Sequence, residues 1–155
     1  MADQAPPRRE ALIVLYDADC GFCRWAAAWA LRRDRRDRLV AAAIQSPLGA
    51  ELLGDLSPDE RLASAHAVGA DGRRRSGGAA ATEVLEALEA TAILGRLARR
   101  LSPLTDRVYD TVAARRMAVG RLVGERARQR ADRLLESRGV ATAAELEARL
   151  RRAAS

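Results

Sequence analysis

Residues 11–23 decide the fold of this chain, and they run Ala11-Leu12-Ile13-Val14-Leu15-Tyr16-Asp17-Ala18-Asp19-Cys20-Gly21-Phe22-Cys23. The first six of them form a short, continuous apolar run, which is typical of a buried β-strand. Apolar residues then recur at spacings of three and four as far as Trp29, which predicts a helix from Cys20 to Arg36. The only two cysteines of the 155 residues therefore lie where a strand is followed by a helix.

Cys20 and Cys23 are three positions apart, so they can close a small disulfide ring and reopen it. A helix N-terminus favours the thiolate, which is the reactive form of cysteine. A C-x-x-C pair beside a strand–helix pattern is typical of a thioredoxin-like redox motif. We therefore expect Cys20, at the helix start and nearer to solvent, to attack a disulfide, and Cys23, one turn further in, to resolve the mixed disulfide.

Charged residues beside the cysteines are candidates for tuning them. Asp17, at the end of the strand, either accepts a proton from Cys23 or shapes the loop by hydrogen bonding to its backbone. The backbone amides of the helix start and Arg24 both favour a thiolate at Cys20. The Asp19 carboxylate opposes them unless it caps the helix and turns toward the amides.

Two residues between the cysteines set the character of the loop. Gly21 has no side chain, so that a substrate backbone can approach closely. Phe22 serves either as core packing or as a contact surface. Aromatic residues make up only 3% of the chain, so we expect Trp25 and Trp29 to be the largest parts of the core.

The rest of the first hundred residues alternates between strand and helix patterns. Residues 38–44 predict a second strand, and a strand–helix–strand unit within about 35 residues predicts a right-handed parallel crossover. The further elements are short helices at 48–55 and 58–63, a third strand at 64–70, a turn at Asp71-Gly72, an edge strand at 73–76 and a helix at 80–90. Ser46, Ser57 and Ser102 each precede a proline, and we expect them to cap helices.

The order of these elements predicts an α/β, thioredoxin-like, three-layer fold with a small central mixed sheet and a C-terminal helical extension. Downstream, two apolar stripes at helical spacing are Ile93, Leu94, Leu97 and Leu101, and Leu104, Val108 and Val112. Residues 1–10 are predicted to be a disordered leader, residues 11–118 the thioredoxin-like domain, and residues 119–155 the helical extension. In that extension Thr142 and Glu145 have the spacing of a capping box.

Three strings of the sequence resemble the DCC family, which is grouped with predicted thiol-disulfide oxidoreductases of thioredoxin-like fold. They are Tyr16-Asp17-x-Asp19-Cys20-Gly21-Phe22-Cys23, Ile44-Gln45-Ser46 and Asp106-Arg107-Val108-Tyr109. The family takes its name from a D-x-x-C-x-x-C motif, which maps onto Asp17, Cys20 and Cys23. The resemblance covers about residues 11–118 and implies exchange with a disulfide-containing protein or a small-molecule thiol, with no cofactor besides the cysteine pair.

One feature departs from the pattern of thioredoxin-like enzymes. Such enzymes present a cis-proline just before the third strand, facing the cysteines, where it helps to hold the substrate backbone. Here Ala63-Ser64-Ala65 precedes that strand, and Pro58 is already accounted for as a helix start. Docking of a substrate by the usual route is therefore in question.

Other interpretations of the cysteine pair remain open at this point. A structural disulfide and an inert thiol pair are two of them. A zinc site needs about four ligands, and without carboxylates only His66 is available to join the cysteines, so no metal is predicted. C-G-F-C is also similar to the C-G-F-S of monothiol glutaredoxins, which hold an iron–sulfur cluster between two chains.

The charge and the tail suggest a competing class, a non-catalytic interaction module. All 27 basic residues are arginines and the net charge is +6, which permits attraction to nucleic acid or anionic lipid. Acidic residues interrupt the arginine-rich tail and it has no aromatic platform, so no nucleic-acid partner is expected. The tail either packs on the domain or docks a partner. With no secretory signal and no run of roughly 18 apolar residues, we expect a cytoplasmic protein without a membrane span.

Overall fold

The computed structural model describes residues 11–153, and the predicted leader at 1–10 lies outside them. The strands are β1 (Leu12–Tyr16), β2 (Leu39–Ala43), β3 (His66–Val68) and β4 (Arg74–Ser76). The helices are α1 (Gly21–Arg33), α2 (Pro47–Leu52), α3 (Pro58–Ala63), α4 (Gly78–Ala87), α5 (Ala92–Arg100), α6 (Ser102–Ala114), α7 (Arg116–Leu122), α8 (Glu125–Arg138) and α9 (Ala143–Ala153). Across this part of the chain, no helix has the length and apolar character needed to cross a membrane.

The strands form one mixed sheet in the order β2-β1-β3-β4. β1 and β2 run parallel, with Leu12 opposite Leu39, as the strand–helix–strand pattern predicts. β3 is antiparallel to both β1 and β4. The predicted turn between β3 and β4 is confirmed, since Gly72 has a positive φ of 73° and donates its N–H to Gly69 O at 2.9 Å.

Both faces of the sheet are buried by helices. Successive side chains of a strand point to opposite sides, so each strand contributes to both parts of the core. On one face, Leu12, Ala41 and Ala67 pack with buried residues of α1, α4 and α8. On the other face, Ile13 and Leu15 pack with Leu48 of α2 and with partly buried residues of α9. The predicted three-layer, thioredoxin-like arrangement around a small mixed sheet is confirmed.

The core is built from smaller side chains than the sequence suggested. Trp25 and Trp29 are only half-buried, so the expectation that they are the largest parts of the core is wrong. The largest fully buried side chains are leucines, together with His66 and Val40. Trp29 packs against the edge of the core and lies under the Arg33 guanidinium, 4.1 Å from its ring centre.

Polar side chains define where the helices begin and end. α1 ends at Arg33 rather than Arg36, because both carboxylate oxygens of Asp34 accept backbone N–H groups, those of Arg38 and Leu39. Ser46 and Ser57 cap α2 and α3 as predicted. Ser102 does not cap α6, because Leu101 holds the N-cap position and Ser102 is already helical.

The helices beyond residue 118 pack into the core of the domain. Residue 118 falls inside α7, and Ala131 and Leu135 of α8 are buried in the cluster that contains α1. The chain then passes along the edge of β2, where Val140 N donates to Ala41 O at 2.9 Å. This contact satisfies part of an otherwise open sheet edge. The division into domains at this residue stays a prediction.

The contribution of α8 to the core can be measured by replacing Leu135 with alanine. Leu135 is 6% exposed, so Leu135→Ala leaves a cavity and we expect it to lower the free energy of unfolding by about 2–5 kcal/mol. Leu122→Ala is the control, because Leu122 is 84% exposed and its loss costs less than about 0.5 kcal/mol. Equal effects of the two substitutions in urea unfolding would contradict the packing of α8 described above.

Candidate active site

The two cysteines lie at the first turn of α1, directly after the loop that follows β1. Cys20 is the N-cap of α1, with an extended backbone (φ −93°, ψ 110°). Its Sγ accepts a hydrogen bond from the Cys23 backbone N–H at 3.3 Å. A sulfur therefore takes the place that a Ser, Thr, Asp or Asn oxygen occupies at most helix starts, and a negative charge there is favoured.

The two thiols also contact each other. The Cys23 thiol donates to Cys20 Sγ across 2.7 Å, and neither cysteine is in a disulfide. Burial raises the pKa of Cys23 to about 12, and the hydrogen bond to Cys20 acts in the same direction. The last proton of the pair is thus held on Cys23, while Cys20 Sγ accepts two hydrogen bonds. In this contact the Cys23 thiol is therefore the donor and Cys20 Sγ the acceptor.

The exposure of the two thiols is the reverse of the sequence expectation. Cys20 is only 2% exposed, whereas Cys23 is half-buried, so the expectation that Cys20 lies nearer to solvent is wrong. The cause is the packing of α7 and α8 on the first turn of α1. A Cβ placed on Gly21 would lie 3.5 Å from Arg128 Cδ, and one on Gly120 would lie 3.4 Å from the Phe22 backbone nitrogen.

The Gln45 side chain forms hydrogen bonds to the loop between β1 and Cys20. Its Oε1 accepts the Ala18 N–H at 3.0 Å, and its Nε2 donates to Asp17 Oδ1 at 2.7 Å and to Asp19 Oδ2 at 3.3 Å. Asp17 Oδ1 also accepts the Asp19 N–H at 3.0 Å. Asp17 therefore shapes the loop, and Asp19 is held by Gln45 rather than capping the helix.

The Arg24 side chain binds the loop after β1 and helix α8. Its Nη1 donates to Ala18 O at 3.1 Å, and its Nε forms an ion pair with Asp132 of α8, also at 3.1 Å. The arginine whose charge lowers the pKa of Cys23, against the stronger effects that raise it, is Arg116. The structure thus directs the guanidinium of Arg24 to the loop and to α8.

A small cleft, about 40 Å³ in volume, opens beside Cys23. Its lining residues come from the loop after β1, the start of α1, the segment before β3, and α6 and α7. They are Asp17, Phe22, Cys23, Ser64, Ala65, Tyr109, Val112, Ala113 and Arg116. The ring of Phe22 stacks on Trp25, with 6.0 Å between ring centres, so Phe22 contributes both to packing and to the cleft.

The segment Ala63-Ser64-Ala65 does face the cysteines, although it holds no proline. Peptide bonds throughout residues 11–153 are trans. The Ala65 N–H, at the wall of the cleft, donates to the Tyr109 hydroxyl at 2.8 Å. Burial raises the pKa of Tyr109, so this hydroxyl stays neutral near pH 7. The Tyr109 hydroxyl of α6 therefore accepts the hydrogen bond of the Ala65 N–H, a backbone donor in the wall of the cleft beside Cys23.

His66 is engaged in hydrogen bonds of its own. Its Nδ1 lies 2.7 Å from Ser76 Oγ and its Nε2 lies 3.0 Å from Arg61 O. Burial lowers the pKa of His66, which favours the neutral ring. Within residues 11–153, no three His, Cys, Asp or Glu side chains are grouped so that they could hold a metal ion.

The comparisons with known proteins agree with this arrangement. The model of the DCC1-like thiol-disulfide oxidoreductase family matches residues 14–122. The chain belongs to this family. The matched region begins inside β1, includes both cysteines and ends with the last residue of α7. Neither the curated proteins nor the solved structures gave a significant match.

Several residues of the site were not assigned a role from the sequence. Gln45 and Tyr109 both lie in strings that carry the family resemblance, so that resemblance was the available signal. Arg116 lies among many arginines at the start of the arginine-rich C-terminal part of the sequence, and nothing in its neighbours marks it out. Its proximity to Cys23 depends on the path of α6 and α7, which a local pattern does not encode.

The proton affinity of Cys23 can be measured in Cys20→Ala. This variant removes the thiol-thiol hydrogen bond, so we expect the pKa of Cys23 to fall below its value of about 12 but to stay above the 9.0 of an ordinary thiol, because burial is the larger cause. The rate of alkylation by iodoacetamide, followed against pH, reports the thiolate. The same variant unfolded in guanidinium chloride should show the ordinary value, and equal profiles for folded and unfolded protein would contradict the burial.

The role of Gln45 can be tested by Gln45→Ala. Loss of three hydrogen bonds frees the loop before Cys20, so we expect faster amide hydrogen exchange at Ala18 and Asp19 and a loss of about 1–3 kcal/mol in the free energy of unfolding. Gln129→Ala is the matched control, because the exposed Gln129 side chain donates to Glu125 on the surface of α8 and, among the described residues, has no hydrogen bond to the loop. Unchanged exchange at Ala18 in the Gln45 variant would show that Gln45 does not hold the loop.

Proposed function

We propose that this protein catalyses thiol-disulfide exchange with the Cys20–Cys23 pair, on a disulfide-containing protein or small molecule. The observation that carries the proposal is the pair itself, in which the Cys23 thiol donates to Cys20 Sγ across 2.7 Å at the N-cap of α1. Membership of the thiol-disulfide oxidoreductase family supports the same chemistry. The proposed compartment is the cytoplasm, where free thiols stay reduced.

Exchange takes place in two displacements that balance atoms and electrons. The Cys20 thiolate attacks one sulfur of the substrate disulfide, forms a mixed disulfide and releases the other substrate sulfur as a thiolate, which takes up a proton. Cys23 then loses its proton and attacks Cys20 Sγ, which closes the Cys20–Cys23 disulfide and releases the second substrate thiol. Counted from the dithiol, in which the Cys20 thiol gives up its proton to water before the attack, the substrate gains two electrons and two protons and the protein loses them.

The cleft beside Cys23 is the proposed route to Cys20. Cys20 is buried, but its Sγ lies only 2.7 Å from the Cys23 sulfur, and Cys23 lines the cleft. A disulfide that enters there meets the Cys23 sulfur, which lies between the cleft and the attacking atom. The Cys23 thiol must turn aside during the first displacement, and it returns for the second.

Asp17 is the proposed proton acceptor for Cys23. It lines the same cleft, and only its Oδ1 is used by Gln45 and by the Asp19 N–H. No described residue donates a hydrogen bond to its second carboxylate oxygen, which is therefore available to the Cys23 proton. A pKa of about 12 makes the Cys23 thiol a poor nucleophile at neutral pH, so a nearby base accelerates the second displacement.

The assignment of the two cysteines is tested by Cys20→Ser and Cys23→Ser, with insulin as the disulfide substrate and dithiothreitol as the electron source. We expect Cys20→Ser to lower insulin reduction to the rate of dithiothreitol alone. Cys23→Ser should accumulate a mixed disulfide through Cys20, detected by mass spectrometry after acid quenching. Capture by Cys20→Ser but not by Cys23→Ser would overturn the order of attack, and turnover by the double variant would overturn the proposed function.

The role of Asp17 is tested by comparing Asp17→Asn with Asp19→Asn. Asparagine keeps a side-chain oxygen for the loop hydrogen bonds but is a much weaker base. We therefore expect Asp17→Asn to lengthen the lifetime of the mixed disulfide by about a hundredfold. Asp19 is exposed and does not line the cleft, so Asp19→Asn should leave that lifetime unchanged. Equal lifetimes in the two variants would assign Asp17 to the shape of the loop alone.

A further inference from the structure

Helices α5 and α6 present large aliphatic side chains to solvent. One stripe runs along α5 to its junction with α6 and consists of Ile93, Leu94, Leu97 and Leu101. Each of these four residues is 46–77% exposed. Leu104 and Val108 of α6 are each 57% exposed. These are the two apolar stripes found in the sequence, and the structure places them outside the core. Exposed apolar patches of this kind mark interaction surfaces.

The orientation of α5 is fixed by its opposite face. Gly95 is buried against α4, and a Cβ there would lie 2.6 Å from Glu86 Cγ and 2.7 Å from the Glu86 backbone nitrogen. Arg99 binds both Glu83 and Glu86 of α4. Gly95 and Arg99 thus fix one face of α5 against α4. The large aliphatic side chains of α5 lie on the opposite face and remain exposed to solvent.

The charges around the stripes are positive. At 100° per residue, Arg96 and Arg100 border the apolar face of α5, whereas Asp106 and Asp110 lie on the flank of α6 away from Leu104 and Val108. Within residues 11–153, Arg100, Arg107 and Arg115 form no ion pair, so no acidic side chain in this part of the chain neutralises their charges. The surface therefore combines exposed aliphatic side chains with uncompensated guanidinium groups.

We propose that this α5–α6 surface, the aliphatic stripes with their bordering arginines, docks on the surface of a bilayer that contains anionic phospholipid. The aliphatic side chains enter the boundary between headgroups and acyl chains, and the arginines bind the phosphates. A second copy of the chain fits less well, because a two-fold contact over this face brings arginines of the same charge together. The proposal does not depend on the exchange reaction.

One consequence concerns the thiols. Val112 follows Leu104 and Val108 at intervals of four, and it also lines the cleft beside Cys23. A protein that docks through the α5–α6 surface therefore holds the mouth of that cleft close to the lipid headgroups. Disulfides at a membrane surface would be presented to it at high local concentration.

The test is co-sedimentation of the full chain with vesicles of phosphatidylcholine alone and of phosphatidylcholine mixed with phosphatidylglycerol. We expect binding to the mixed vesicles only, and weaker binding as salt is raised. The double variant Ile93→Gln, Leu97→Gln should weaken binding at least about tenfold, because two side chains no longer enter the bilayer. Leu150→Gln, which changes an exposed leucine on α9, is the matched control and should bind as the wild type does.

Three outcomes would overturn the proposal. They are no binding to the mixed vesicles, equal binding to both kinds of vesicle, and binding that is unaffected by the double variant. A concentration-dependent dimer in sedimentation velocity that is lost in the double variant, without vesicle binding, would assign the surface to a second copy instead. Insulin reduction in solution by the double variant should match the wild type, so a failure of membrane docking is distinguishable from a failure of the exchange reaction.

Discussion

The close packing of α8 on α1 is the constraint on which the site depends. Three of the four buried residues of α1 are small, namely Ala27, Ala28 and Ala30 beside Leu31, and Ala131 of α8 is fully buried in the same cluster. Small residues let two helices approach closely. The side chains of α8 on either side of Ala131 are therefore held against the first turn of α1. Arg128 is placed over Gly21 in this way, and Asp132 is brought to Arg24. The burial of Cys20 is therefore a consequence of helix packing outside the motif.

Burial of the first turn of α1 also affects the proton on Cys23. A cysteine at a helix N-cap is stabilised as a thiolate by the amides of the first turn, whereas burial disfavours any charge. At Cys23 the burial dominates and the proton is retained. Cys20 receives both the Cys23 N–H and the Cys23 thiol as donors, which compensates for the solvent it has lost. The two hydrogen bonds to Cys20 Sγ and the raised pKa of Cys23 thus come from the same first turn, through different contacts.

The strand–helix boundary, the parallel crossover and the hairpin could be predicted from the sequence, because each depends on local periodicity and turn residues. The family resemblance also identified the motif and two strings whose side chains, Gln45 and Tyr109, turn out to hold the loop and the cleft wall. The exposure of the thiols could not be predicted in this way, since it depends on α8, about a hundred residues away. The two apolar stripes show the same limit, because periodicity finds an apolar face but not the direction in which it points.

The region matched by the family ends at Leu122, yet the fold of this chain is not complete there. Ala131 and Leu135 close one face of the sheet, and Leu146 packs against the other. In the segment between α8 and α9, the Val140 N–H donates a hydrogen bond to Ala41 O on the edge of β2. A chain that ended at α7 would expose apolar area on both faces together with an unpaired strand edge, both of which favour association with other chains. The arginine-rich helices beyond the matched region therefore complete the core, whereas the surface proposed for membrane docking lies on α5 and α6, within that region.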